Sequence, residues 1–125
     1  LEKMSREQVS SLPTFSDQIA QKLVQNANGF SFTVEPFMLE NNGVLSHGVL
    51  TEILNTATHQ LVASNGRSLI IEQMMIYFLQ AVQLDDYLTL TSRVVHETRR
   101  SAIIDYDIYL DHQLVAKATM TVKIN

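Results

Sequence analysis

Residues 40–62 read ENNGVLSHGVLTEILNTATHQLV, and the fold turns on them. A polar turn with Asn41, Asn42 and Gly43 runs, with no Pro in the way, into a strong helix signal. Leu50, Ile53, Leu54, Ala57 and Leu61 recur at spacings of three and four and so share one face. The spacing predicts a helix from Ser46 to Ser64, with Ser46 as its cap and Asn65 and Gly66 as its stop. At 100° per residue Asn55 falls roughly 140° from the centre of the apolar stripe, so nothing forces it into a core.

On either side of this helix the hydrophobic period is two. Upstream, Phe30, Phe32 and Val34 alternate until Pro36 breaks the pattern, as in an edge strand or a bent strand. Downstream, SLIIEQMMIYFLQAVQL (68–84) is apolar on both faces, the pattern of a long strand buried between layers, with Tyr77 and Phe78 as core. Leu88, Leu90 and Val94 then alternate with Thr89, Thr91 and Arg93. Ala102, Ile104, Tyr106, Ile108 and Leu110 follow on the next run, and Leu114, Ala116, Ala118, Met120, Val122 and Ile124 on the last. These read as half-buried antiparallel strands, and the short connections at 85–86, 98–100 and 111–113 predict a meander. The opening, residues 1–28, reads as a linker and one short helix around Phe15, Ile19, Leu23 and Val24, ended by Asn28 and Gly29. The main domain runs from 29 to 125. One long helix must cover one sheet, so the class is α+β, an antiparallel sheet wrapped round a central helix.

Composition narrows the function. A chain of 125 residues with 46% hydrophobic content builds one core, and a net charge of −4 with a pI near 5.4 offers no basic field for a nucleic-acid backbone. There is no Cys, and His47, His59, His96 and His112 are scattered, so neither a metal centre nor another resident cofactor is expected. No apolar run approaches the roughly 20 residues of a membrane span and no leader pattern opens the chain, which predicts a cytoplasmic protein with no membrane partner. Leu1 in place of Met implies a piece excised from a longer protein.

With these elements in order, the chain from about residue 30 to 124 resembles the hotdog fold, and NNGVLSHGVL (41–50) is similar to the turn of that superfamily's acyl-CoA thioesterases. The family form is an Asn, then G-x-L-H-G-G, then a helix. The run MIYFLQAVQ (75–83) most resembles the carboxy-terminal hotdog domain of bacterial proteins that also carry paired CBS nucleotide-sensing domains. The resemblance implies a homodimer or a dimer of dimers, and a coenzyme A thioester as substrate or ligand.

It also implies roles for named residues. Helix amino-terminal amides polarise the thioester carbonyl, which singles out Gly48 and Val49, with Ser46 and His47 at the family's His and Gly places. Ser46 reads equally as a helix cap, and His47 as a pocket-mouth residue or a solvated one. Asn41 matches the loop Asn that holds the turn or the thioester. The family's catalytic carboxylate falls on Asn55, and an amide is neither a base nor a useful nucleophile. Arg99 and Arg100, the only adjacent Arg pair, occupy the turn where the family meets coenzyme A phosphates. The implied function is thus acyl-CoA binding by a ligand-sensing or dimerisation module with weak or no catalysis. Two alternatives stay open: a working thioesterase that releases a carboxylic acid and coenzyme A through Glu52 or Glu40, and a purely structural dimerisation domain.

Overall fold

Leu50, Ile53, Leu54 and Ala57 do what their spacing requires and bury one face of a 17-residue helix in a curved sheet; each is at most 2% exposed. The computed structural model describes residues 14–63 and 66–125. In chain order the elements are α1 (Phe15–Lys22), β1 (Val24–Asn26), β2 (Gly29–Thr33), a 3-10 turn (Pro36–Met38), α2 (His47–Ala63), β3 (Leu69–Phe78), β4 (Tyr87–Glu97), β5 (Ser101–Leu110) and β6 (Gln113–Ile124). The polar opening before Thr14, and the expected helix stop at Ser64 and Asn65, lie outside the described residues. All six strands form one antiparallel sheet in the order β1-β2-β4-β5-β6-β3, wrapped round α2. This is the hotdog arrangement.

The alternation in β5 and β6 is obeyed closely. Ala102, Ile104, Tyr106 and Ile108 point inward with Ala116, Ala118, Met120 and Val122, while Asp105 and Asp107 point outward, paired with Arg93 and Lys117. A full Leu or Ile side chain buried in this way contributes about 1.5–3 kcal/mol, so α2 is held to the sheet mainly by its apolar stripe. One polar thread supplements it. Thr58 Oγ1, fully buried, donates to the Leu54 carbonyl at 2.7 Å and lies 2.7 Å from the buried Tyr106 hydroxyl on β5.

Three expectations need correction. The opening helix stops at Lys22, and Val24–Asn26 turn back as β1 to pair with β2. Gly29 follows the Ala27–Asn28 turn of that hairpin at φ +143°, and the residue must be a glycine because a Cβ there would collide with the Leu90 carbonyl of the adjoining β4. Only β4, β5 and β6 form a meander; β3 pairs with β6 instead of β4. The chain between β3 and β4 needs residues 79–86 to pass across the end of α2, where the Leu45 N–H donates to the Val82 carbonyl at 2.7 Å. A two-residue hairpin could not make that crossing. Finally, β3 is an edge strand, not a strand buried between layers: Ile70, Met75, Tyr77 and Phe78 are 58%, 45%, 56% and 39% exposed. Its apolar outer face is real, but within this chain nothing among the described residues covers it.

Candidate functional site

The turn before α2 is set by backbone and by one amide side chain. Glu40 N–H donates to the Val44 carbonyl, Gly43 N–H to the Glu40 carbonyl, and Asn42 Oδ1 accepts from Val44 N–H at 3.2 Å. Gly43 takes φ +82°, which a left-handed turn position demands. Asn41 sits exposed at the tip, so the side chain that braces the turn belongs to its neighbour. Ser46 N–H donates to the Met38 carbonyl and its own carbonyl accepts from Leu50, which fixes where α2 begins. The amides of His47, Gly48 and Val49 have no hydrogen-bond partner among the described residues, and Ser46 Oγ does not cap them. They carry the partial positive charge of the helix start.

Beside these amides lies an apolar cavity of about 250 Å³, between the first turn of α2 and the inner face of the sheet. Leu45, Leu50, Leu88, Ile108, Val115 and Ala116 line its interior. Val44, His47 and the segment from Phe78 to Val82 form its rim and roof. The His47 imidazole is stacked on the Phe78 ring, with centroids 3.7 Å apart and planes 12° from parallel, so α2 and β3 meet at the mouth.

The other residues singled out in the sequence lie elsewhere. Asn55 follows His47 and Thr51 on the i, i+4, i+8 stripe of α2, about 12 Å along the axis. It is half-buried beside a groove between α1 and α2, and its carboxamide makes no hydrogen bond among the described residues. Glu52 faces α1 and is engaged: Ser16 Oγ donates to its Oε1 at 2.7 Å. Glu40 is exposed in the turn.

Arg99 and Arg100 stand at the opposite end of the domain, past the carboxy terminus of α2, roughly 25 Å from His47 by helix length. They share a cleft with Arg67 and Lys123, and Arg67 Nη2 donates to the Arg99 carbonyl at 2.9 Å. Four of the nine Lys and Arg residues thus gather in one place on an acidic chain. Arg67 and Lys123 have no sequence signal of their own; the β5–β6 register, with Ser101 opposite Lys123, brings in Lys123, and the β3–β6 register, with Leu69 opposite Ile124, brings in Arg67. Among the described residues no three His, Asp or Glu side chains converge as metal ligands, and none of the helices is long and apolar enough to cross a membrane.

A six-stranded antiparallel sheet wrapped round one long helix, with unpaired amides at the helix start, places the domain in the hotdog class. The chain belongs to the thioesterase superfamily, whose family model matches residues 42–117. It is 28% identical over 96 residues to the uncharacterized protein YtoI of Bacillus subtilis, a match covering 76% of this chain and only 22% of that protein. Among solved structures, a hypothetical thioesterase protein from Streptococcus pneumoniae, crystallised with coenzyme A, superposes with a TM-score of 0.73 at 27% identity, covering 82% of this chain and 84% of the other. A conserved protein from Pseudomonas aeruginosa matches in fold with a TM-score of 0.77 at 21% identity, covering 98% and 100%.

Proposed function

We propose that this domain binds an acyl-CoA without efficient turnover, as a ligand-sensing and dimerisation module of a larger protein of the kind that carries CBS domains. The observation that carries the reading is that, among the described residues, no carboxylate lines the cavity at the start of α2. The one carboxylate of α2, Glu52, is tied to Ser16 on the side facing α1, and Asn55 stands where a thioesterase of this family needs its acid. The free amides of Gly48 and Val49 bind the carbonyl oxygen; the Asn55 carboxamide, about 12 Å along α2 from His47 in the same chain, meets the ligand from the other subunit of a pair, where it hydrogen-bonds without activating water.

A dimer is part of the proposal. Among the described residues β3 has one edge free, and antiparallel pairing of two copies about a two-fold axis covers that edge and joins the two apolar outer faces side by side. Such pairing sets the Leu69 end of one β3 beside the Phe78 end of the other, so the cationic cleft of one subunit approaches the cavity of its partner. Within one chain the cavity and the cleft are at opposite ends of α2; across the pair a single coenzyme A meets both.

Calorimetry with coenzyme A and acyl-CoAs, with thiol release followed in parallel, tests this. Binding is expected with hydrolysis hardly above background. Where pairing brings Asn55 of one subunit to the thioester held by the other, Asn55→Asp should raise the rate by 10²-fold or more, the usual scale of a general base. Ordinary wild-type turnover that is lost in Glu52→Gln and unaffected at Asn55 would establish the thioesterase reading instead.

A further inference from the structure

The cavity under the start of α2 restricts what it can hold by both size and chemistry. Its interior side chains Leu50, Leu88, Ile108 and Ala116 are each at most 3% exposed, and the space exists because β6 and the roof contribute alanines, Ala116 and Ala81. Among the described residues no Lys, Arg, Asp or Glu lines it. Its polar side chains, His47 and Gln80, both sit at the exposed rim. A carboxylate carried inside would lose its hydration with no cation to replace it. An apolar cavity of about 150 Å³ holds one six-carbon ring. At the same density, the volume here of about 250 Å³ holds about ten carbons. The mouth opens beside His47, the first residue of α2, and the unpaired amides of Gly48 and Val49 follow it in the same helical turn, so a carbonyl held at those amides lies next to the mouth.

We infer that the cavity receives the hydrocarbon part of an uncharged acyl group of up to about ten carbons, and that it rejects dicarboxylic and long-chain acyl groups. The inference rests on the acyl-CoA reading above and adds the substrate class to it. The rim stack of His47 on Phe78 is the side of the mouth that the entering chain passes.

Titration calorimetry on the whole chain with coenzyme A, acetyl-, octanoyl-, palmitoyl- and succinyl-CoA provides the test, with palmitoyl-CoA kept below its micellar concentration. Each buried methylene should tighten binding about fourfold. Allowing for imperfect filling, octanoyl-CoA should bind at least about 10²-fold tighter than acetyl-CoA. Palmitoyl-CoA should bind no tighter than octanoyl-CoA, and succinyl-CoA no tighter than acetyl-CoA. Ala116→Phe fills the floor and should abolish the octanoyl advantage while the affinity for coenzyme A itself is kept. Because a larger side chain at this buried site can unfold the sheet, Ala81→Trp at the exposed rim is the second variant, with the same result expected. Coenzyme A binding with equal affinity for acetyl and octanoyl thioesters would overturn the cavity assignment and leave the coenzyme A reading standing. So would succinyl-CoA binding as tightly as octanoyl-CoA, or an octanoyl advantage that survives in both variants. No binding of coenzyme A or of its acetyl, octanoyl or succinyl thioester at millimolar concentration would overturn both.

Discussion

Thr58 and Tyr106 are a matched pair, and removing either hydroxyl should have a different cost. The Thr58 hydroxyl has a single proton, and the Leu54 carbonyl at 2.7 Å is a stronger acceptor for it than the Met120 sulfur at 3.2 Å; with the proton there, the Tyr106 hydroxyl donates across the 2.7 Å contact between them. Tyr106→Phe removes one donor and leaves Thr58 bonded to its own helix, a loss of about 0.5–1.5 kcal/mol. Thr58→Val leaves the Tyr106 hydroxyl buried without an acceptor, at about 1–3 kcal/mol. In the double variant both groups are gone and the orphan with them, so its cost should fall short of the sum of the single costs by about 1 kcal/mol. Urea unfolding at fixed protein concentration measures all four corners of the cycle, and each kcal/mol should move the melting temperature by about 4 °C. Burial pushes the Tyr106 phenol up from 10 to about 12, against a smaller opposing effect of the Thr58 hydrogen bond. The unfolded chain therefore sheds this proton first. The contribution is complete below pH 10 and is lost as the pH rises from 10 towards 12, at no more than about 1.4 kcal/mol per pH unit. Tyr106→Phe should lack that part of the alkaline slope. Equal costs for the two single variants, or strict additivity in the double, would refute the coupled pair.

Other expectations follow from the same geometry. Arg99→Ala with Arg100→Ala should weaken coenzyme A binding by tenfold or more and flatten its salt dependence, since ordered charge-assisted contacts are worth about 1.5–3 kcal/mol each and these are exposed; an unchanged salt slope in calorimetry would remove the cleft from the site. Arg67→Ala should add to the loss, as it shares the cleft. Sedimentation at micromolar concentration should find a dimer, and Met75→Lys on the outer face of β3 should shift it towards monomer; a monomeric wild type would refute the pairing. Gly29→Ala should destabilise by about 2 kcal/mol or more, because it sets a Cβ against the Leu90 carbonyl at φ +143°, and a melting temperature within about 2 °C of wild type would show that the hairpin adapts.

The helix and the central strands were legible because burial there is one-sided. Leu50, Ile53, Leu54, Ala57, Tyr106 and Met120 carry the periodicity of their element, and each is buried as that periodicity requires. The pairing partner of β3 was not legible, since Ile70, Met75 and Tyr77 are apolar whether they face a core, a neighbour or a second copy. Local order also hid β1: Val24 continues the helical pattern of Ile19 and Leu23, and the turn at Ala27 and Asn28 that makes a hairpin reads from sequence as the end of a helix. For the site, the helix start at Gly48 and Val49 could be placed from sequence, and Arg99-Arg100 could be noticed as a pair. That Arg67 and Lys123 complete a cationic cleft, or that Phe78 stacks on His47, depends on strand register, which sequence spacing alone does not specify.

The position of β6 between β5 and β3 has a consequence for the way the chain is made. Leu69 pairs with Ile124, so the start of β3 waits for a partner 55 positions later. At a synthesis rate of about 5–20 residues per second, that is on the order of 3–10 s with both edges of LIIEQMMIYF unpaired. The segment combines high β-propensity, no Pro and a single charge, Glu72, which is the profile of a strand that adheres to its own kind. Shielding on the ribosome, or slow accumulation at low temperature, should therefore decide the yield of native protein more than the stability of the finished fold does. Loss of the last few residues of β6 would leave the start of β3 without its partner permanently.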